Sequence, residues 1–469
     1  MNYIRTEADG QLAFTETTES LMIPSMLYGF HNTFTETQTA ASGRNVFVFS
    51  GTVDLPEDER RCDCGCRMHI NNSPDVSLRH LPFGSTLTCV VYPHNQLRCS
   101  KCGATKSQFI SFKADGHRIT KELFNYVYDL LATGHYTNKE VASLAGLHPA
   151  VVKSIDKKRL LDKYTIDGKQ FRKPEQTAEY LGIDEFKLHN GHKFATHIID
   201  LKTGHVLFIA EGKKKRVVYN FIKFVGQEWM KHVKAVACDM NSDFAEAFKE
   251  RCPHLEIVFD YFHIVKNFND NVVSEIRKDE YRRLAEEDEI EAAKQLKGSK
   301  YILTSKRSTL QKKDREALEG KVISKGSELF GTEDYVRSEG YEARYDELLK
   351  QNRLLFTADL IKEKLDRAYQ MDDPVKMGTA IGEIVFFCYE TKNKHFEWFG
   401  HLLWTHHTGI VAYAKYKISS GKIEGINNKI KTIRRHSYGY PDDEYFFLKI
   451  MDASRASYVR NPKSHRILH

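Results

Sequence analysis

From Tyr180 onward the apolar positions fall into short runs of strand length, broken by turns and by two amphipathic stretches. The first run is Tyr180–Asp184. His192–Leu201 and His205–Glu211 follow, joined by Lys202-Thr203-Gly204, a hairpin turn. Lys213–Trp229 has helical spacing, Val233–Asp239 is again an apolar run, Ser242–Arg251 is helical, and Glu256–Asp260 reads as a fifth strand. Upstream, alternation over Ser85–Tyr92 followed by His94-Asn95-Gln96 predicts a β-hairpin. Leu123, Tyr126, Val127, Leu130 and Leu131 predict a helix that stops at Gly134, and a second begins at Thr137. The first 60 residues are polar, with a short apolar patch around Leu21–Met26.

This pattern divides the 469 residues into an acidic arm (1–60), a Cys-rich β unit (61–112), a helical unit (118–163) and a linker (165–179). A strand-rich core (180–264), a charged helical insertion (265–410) and a final helix with a basic segment (411–469) complete it. With 41% hydrophobic and 28% charged residues, the chain has apolar mass for several cores, which excludes a mainly disordered or fibrous protein. No run approaches about 18 apolar residues, so no membrane span is expected. The start, MNYIRTEADG, has no apolar leader, and a cytoplasmic, DNA-associated protein is expected. Charge is uneven: residues 1–60 carry nine acids against three Arg, whereas residues 411–469 carry twelve Lys and Arg against five acids. The basic end suggests a polyanion such as nucleic acid, with a solvated face as the plain alternative. Trp229, Trp398 and Trp404 are most simply read as core.

Six of nine cysteines lie between Cys62 and Cys102, which in a chain without a leader favours metal over disulfides. Cys99-Ser-Lys-Cys102-Gly103 is a zinc knuckle, the Gly permitting its tight turn. The other half, Cys62-Asp-Cys64-Gly65-Cys66, lacks that spacing; Cys64 resembles the end of a knuckle, and its mate is Cys62 or Cys66. A structural Zn²⁺ on four thiolates is expected, reduced structural cysteines being the alternative.

Thr137 and Glu140 form a capping box, Gly146 opens a turn, and Pro149 suits the next helix's first turn. This is a helix-turn-helix pattern, with a plain helical hairpin as the alternative. Lys153, Lys157, Lys158 and Arg159 on the second helix are the expected DNA contacts. Lys213-Lys-Lys-Arg216 opens a helix against its dipole, a weaker hint of DNA contact.

Three acids close predicted elements: Asp184 on the first core strand, Asp239 on the fourth, and Glu424 in the first turn of the helix that follows Ser419-Ser420. A β-hairpin start followed by α-β-α-β is the plan of a ribonuclease H-like fold, in which the first and fourth strands lie side by side. On the last helix Ile423, Ile426, Ile430 and Ile433 face the core, while Asn428, Lys431 and Arg435 share the face of Glu424. Arg434 adds a further cation for DNA. Asp260 and His263, just past the fifth strand, are candidate accessory groups for orienting a metal-bound water or the scissile phosphate; a helix cap and a buried His are the alternatives.

These residues carry a family resemblance. GIDEFKLHNGHKFATHIIDLKTGHVL, VKAVACDMNSDFAEAF, IVFDYFHIVKNFN and SSGKIEGINNKIKTIRRHSYGYPDDEYFFLKI resemble the DDE transposases of bacterial insertion sequences, in the ISL-three branch with its zinc-binding N-terminal domain. The resemblance runs from about residue 60 and implies that Asp184, Asp239 and Glu424 are the catalytic acids. It implies an α/β, ribonuclease H-like core interrupted by the helical insertion. It also implies Mg²⁺ (or Mn²⁺) at the three acids, cleavage at element ends and strand transfer into target DNA. The partners expected are the terminal inverted repeats, target DNA and a second copy of the chain, since two ends must be joined. A catalytically dead DNA-binding regulator and a nuclease without strand transfer are the rival readings.

Overall fold

The computed structural model describes residues 2–8, 11–17, 27–240, 242–437 and 439–455, in a mixed α/β architecture. The apolar patch expected at Leu21–Met26 lies outside the described residues. The chain forms two compact units: Met1–Arg172 with Thr432–His469, and Lys173–Lys431.

In the first unit four strands are ordered Phe30–Thr39, Asn45–Val53, Thr86–Pro93, Asp75–Phe83. The alternating apolar residues Val46, Val48, Leu87 and Cys89 are buried together, which makes Asn45–Val53 a central strand. Phe30–Thr39 and Asn45–Val53 are therefore built into this sheet, a correction to the expected arm: its Thr- and Ser-rich exterior disguises a half-buried strand. The hairpin turn also falls at Gly84, not at His94-Asn95. A second small sheet, His69–Asn72, Gln96–Arg98 and Thr105–Ser107, carries the cysteine-rich loops. Three helices follow: Lys121–Ala132, Asn138–Ala145 and Pro149–Tyr164. Thr137 and Glu140 form the expected capping box, and Gly146 takes the left-handed turn at φ 65°. The linker folds back as a short hairpin, Thr165–Ile166 against Gln170–Phe171. The helix Asp443–Arg455 packs along Pro149–Tyr164 within the same unit.

The second unit is built on a five-stranded sheet. In chain order its strands are Tyr180–Lys187, Phe194–Asp200, Val206–Glu211, Ala235–Cys238 and Glu256–Phe259, and in space they run third, second, first, fourth, fifth. The first three are antiparallel; the fourth and fifth run parallel to the first. Both faces are covered, so Leu181, Ile183, Ile198, Val236 and Val258 are all buried. Lys215–Val225 and Ser242–Arg251 contribute Phe221 and Phe248 to the core. The helix His407–Tyr416 lies against the fifth strand, where a Cβ at Gly409 would come within 2.5 Å of Phe259. The insertion is mostly helical, and Arg353–Gln370, Pro374–Glu390 and Lys394–Thr405 extend one continuous hydrophobic core. A small hairpin, Val322–Ser324 with Tyr335–Val336, interrupts it. Trp229 is buried as expected, whereas Trp398 and Trp404 are exposed, because each sits on the outer side of its helix. Among the described residues no helix is long and apolar enough to cross a membrane.

Candidate functional site

The site grows out of the sheet register. Gly182 on the first strand pairs with Ala237 on the fourth, running parallel. Two residues further along each chain come Asp184 and Asp239, so both acids emerge at the same edge. The Asp184 carboxylate accepts the Glu185 N–H at 2.8 Å and the Asn427 side-chain amide at 2.7 Å. Burial raises its pKa, against the pull of those two donors and of His263, while nearby Asp239 raises it further. Glu185 is also raised, by burial first, with Lys213 opposing and Asp184 and Asp239 reinforcing. Asp239 is more open; it accepts the Met240 N–H at 2.6 Å, and His263 Nδ1 lies 3.6 Å from its carboxylate. Asp260 is buried and caps no helix with its side chain; it accepts the Ser420 hydroxyl instead.

Glu424 reaches this unit on the helix Gly421–His436. Ile423, Ile426 and Ile430 are buried, and Ile433 is half-buried. Ile423 lies against Gly182, so closely that a Cβ there would meet its side chain at 2.7 Å. Three residues beyond Glu424, Asn427 bonds Asp184. The helix is thus pinned to the strand carrying the first acid, with Glu424 exposed at its start. Asp184, Asp239 and Glu424 do not draw their oxygens within 4.8 Å of one another; among the described residues the one set of three or more potential ligands that tight is Cys62, Cys64, Cys99 and Cys102.

In that set Cys62 and Cys102 sulfurs are 3.4 Å apart, and Cys64 and Cys99 are 3.6 Å apart. Tetrahedral Zn–S bonds of about 2.3 Å put sulfurs about 3.8 Å apart, so the cage has the size of the ion. Gly65 and Gly103 take left-handed φ of 81° and 72° and turn the two loops. The N–H groups of Cys102 and Lys101 pull the Cys99 thiol down to about 6. For Cys64 the Cys66 N–H acts in the same direction, but the neighbouring thiols of Cys99 and Cys62 outweigh it and push it to about 12. The structure thereby separates two cysteines that spacing left equivalent: both pack against Met68 and Leu97, but Cys62 joins the cage and Cys66 does not.

The cations of the helix Pro149–Tyr164 fare unequally. Arg159 is buried, bonded to Asp156 and Asp452 at 2.9 Å each, and so is not offered to DNA. Lys157 pairs with Asp442 and Glu444, and Lys153 with Asp442. Lys158 is exposed, in line with Ala150 and Ser154 on the outward face. The expected basic stripe is therefore largely turned toward the C-terminal helix and the loop before it. Lys431 and Arg435 are exposed, whereas Arg434 is half-buried with its guanidinium over the Phe446 ring. In the run that opens Lys215–Val225, Lys215 pairs with Glu246 and Glu250, and Lys214 with Asp243.

Sequence reasoning did not single out Asn427, Ser420's bond to Asp260, or His197. His197 is fully buried opposite Asp184 on the neighbouring strand, and neither ring nitrogen has a partner. An Asn one turn beyond an acid on an amphipathic helix was the available signal for the first of these.

The sequence is similar to those of known transposases. The family model of ISL3-type DDE proteins, described as a transposase, matches residues 181–450. The chain is 28% identical over 394 residues to the transposase for insertion sequence element IS1001 of Bordetella parapertussis, covering 84% of this chain and 87% of that protein. It is 22% identical over 278 residues to the transposase for insertion sequence element IS1557 of Mycobacterium tuberculosis, covering 55% of this chain and 56% of that one.

Proposed function

The chain belongs to the ISL3 family of transposases, and from that premise we propose that it cuts DNA at the ends of its element and transfers the strand ends into target DNA, using Asp184, Asp239 and Glu424. The observation that carries this reading is the level register of Asp184 and Asp239 on adjacent parallel strands, with the helix of Glu424 bonded to Asp184 through Asn427. The strand order third-second-first-fourth-fifth, with three antiparallel strands followed by two parallel ones, supports a ribonuclease H-like core.

The donor chemistry fits a hard divalent cation: carboxylate oxygens at one open edge, one of them held by burial in need of a positive partner. Mg²⁺ or Mn²⁺ bound by the three acids would activate a water or a 3′-hydroxyl and stabilise the leaving 3′-oxygen. The chain's own part is placement. The sheet fixes Asp184 and Asp239, Ile423 against Gly182 sets the height of the Glu424 helix, and His263 sits where it can hold Asp239. The cage of Cys62, Cys64, Cys99 and Cys102 is read as a structural zinc site. The helical unit 118–163 is read as a helix-turn-helix that binds the terminal repeats, and Lys431 and Arg435 as phosphate contacts. Joining two ends calls for at least two copies of the chain in the working complex.

The test is Mg²⁺- or Mn²⁺-dependent cleavage of an element-end duplex. Wild type should cut and Asp239→Asn should lose at least about 10²-fold in rate, a loss typical for deleting a group central to charge stabilisation. Cleavage retained in the variant would overturn the assignment. Production of joined two-ended product separates this reading from a simple nuclease.

A further inference from the structure

We infer that Asn427 is a positioning residue of the reaction, holding Asp184 in register with the helix that brings Glu424. The inference rests on the reading of Asp184 as a catalytic acid. Three observations converge on it. The Asn427 side-chain NH₂ donates to Asp184 at 2.7 Å, joining residues 243 positions apart. The other end of the same amide, Oδ1, is buried and has no hydrogen-bond partner. One turn earlier on this helix lies Glu424, and between them Ile426 is buried, so the helix cannot roll to satisfy that oxygen elsewhere.

Each end of the amide has a consequence. Asp184 uses one oxygen on the Glu185 N–H and the other on Asn427. Both donors lie on the carboxylate from the protein side, so the rotamer of Asp184 is fixed. An orphaned buried carbonyl oxygen costs about 1–3 kcal/mol unless something completes it. The chain accepts that cost at a polar contact that ties the helix of the third acid to the first acid. A water, or a hydrated cation held by the neighbouring carboxylates, is the partner whose chemistry suits a lone carbonyl oxygen there. Buried amide oxygens of this kind are completed by protein or by ordered water.

The experiment uses the full-length zinc-loaded chain. Mn²⁺ affinity is measured without DNA, by calorimetry and by the Mn²⁺ resonance signal, for wild type, Asn427→Ala, Asn427→Leu and Asp184→Asn. Cleavage rate is then followed against Mg²⁺ concentration, together with element-end DNA affinity and melting temperature. Asn427→Ala should weaken Mn²⁺ binding by about 10–100-fold, the usual loss on deleting a group that orients a metal ligand, and should shift the Mg²⁺ dependence equally. DNA affinity should stay at the wild-type level. Asn427→Leu keeps the size, loses the donor and adds no carboxylate ligand, so it serves if the alanine variant folds poorly; it should show the same loss. Wild-type Mn²⁺ affinity and Mg²⁺ dependence in either folded variant overturns the inference. Asp184→Asn separates the two layers. If that variant keeps Mn²⁺ binding and cleavage, the assignment of the acid itself is at fault; if it loses both while the Asn427 variants do not, only the role of Asn427 falls.

Discussion

The contact between Ile423 and Gly182 lends itself to a quantitative test, because it decides where Glu424 stands without involving any charged group. A Cβ on Gly182 would lie 2.7 Å from Ile423 Cδ1, 2.8 Å from its Cγ1, and 2.9 Å from Leu201 Cδ2. All three distances are shorter than carbon atoms tolerate, and Gly182 sits in ordinary strand backbone, so Gly182→Ala is a packing test free of conformational strain. Overpacking of this kind costs about 1–3 kcal/mol. The lower half of that range applies, since the clashing atoms are ends of side chains that can shift. Ile423→Ala, at a nearly fully buried site, should cost about 2–5 kcal/mol by leaving a cavity. The cavity is where the new methyl would go, so the double variant should recover about 1 kcal/mol or more relative to the sum of the single effects. Urea denaturation of the four proteins measures the cycle. Gly182→Ala should also lower the cleavage rate more than it lowers DNA affinity, because the displaced helix carries Glu424 at the next position. Additivity within about 0.3 kcal/mol would mean that helix and strand do not meet at Gly182, and the placement of Glu424 argued above would lose its foundation.

Other consequences can be checked more briefly. Cys62→Ser should abolish the visible absorption of a Co²⁺-substituted thiolate site and destabilise the N-terminal domain, whereas Cys66→Ser should leave the spectrum unchanged. Burial lowers the His197 pKa from 6.5 to about 4, so the folded state excludes the proton that the unfolded state takes up below pH 6.5, and stability falls as pH drops from there toward 4. His197→Leu should remove that dependence, being favoured over wild type by about 2 kcal/mol more at pH 5 than at pH 7 in chemical denaturation. A wild-type and variant pair with parallel pH profiles would contradict it. Lys158→Ala should weaken element-end binding and reduce the slope of its salt dependence by about one ion. Arg159→Ala should instead destabilise the domain by about 3–5 kcal/mol, since Asp156 and Asp452 lose their buried partner, as thermal melting would show.

What could be read from the chain and what could not divide along a physical line. The five core strands are legible because each is an apolar run ended by a turn, and Asp184 and Asp239 stand out as candidates because they sit where two of those runs stop. The capping box at Thr137 was legible for the same reason: all of its atoms lie within four residues. The strand Asn45–Val53 was missed because its hydrophobic half was masked by acidic and Thr-rich neighbours. The role of Arg159 was misjudged because the acid that neutralises it, Asp452, lies 293 residues away. Asn427 escaped for the same reason, its partner being 243 residues earlier. Cys62 and Cys66 flank Cys64 at equal distance in sequence, and only the fold of the loop breaks that symmetry.

The unit that contains the helix Pro149–Tyr164 is assembled from two stretches of chain, one on each side of Lys173–Lys431. Its interior charges, Asp156 and Arg159, are matched by Tyr445, Lys449 and Asp452. During synthesis the first stretch leaves the ribosome some 270 residues before those partners exist. A nascent or truncated polypeptide therefore carries this helix with Asp156 and Arg159 paired only with each other, and the stretch up to Arg172 can finish its fold only after Tyr445, Lys449 and Asp452 have been made.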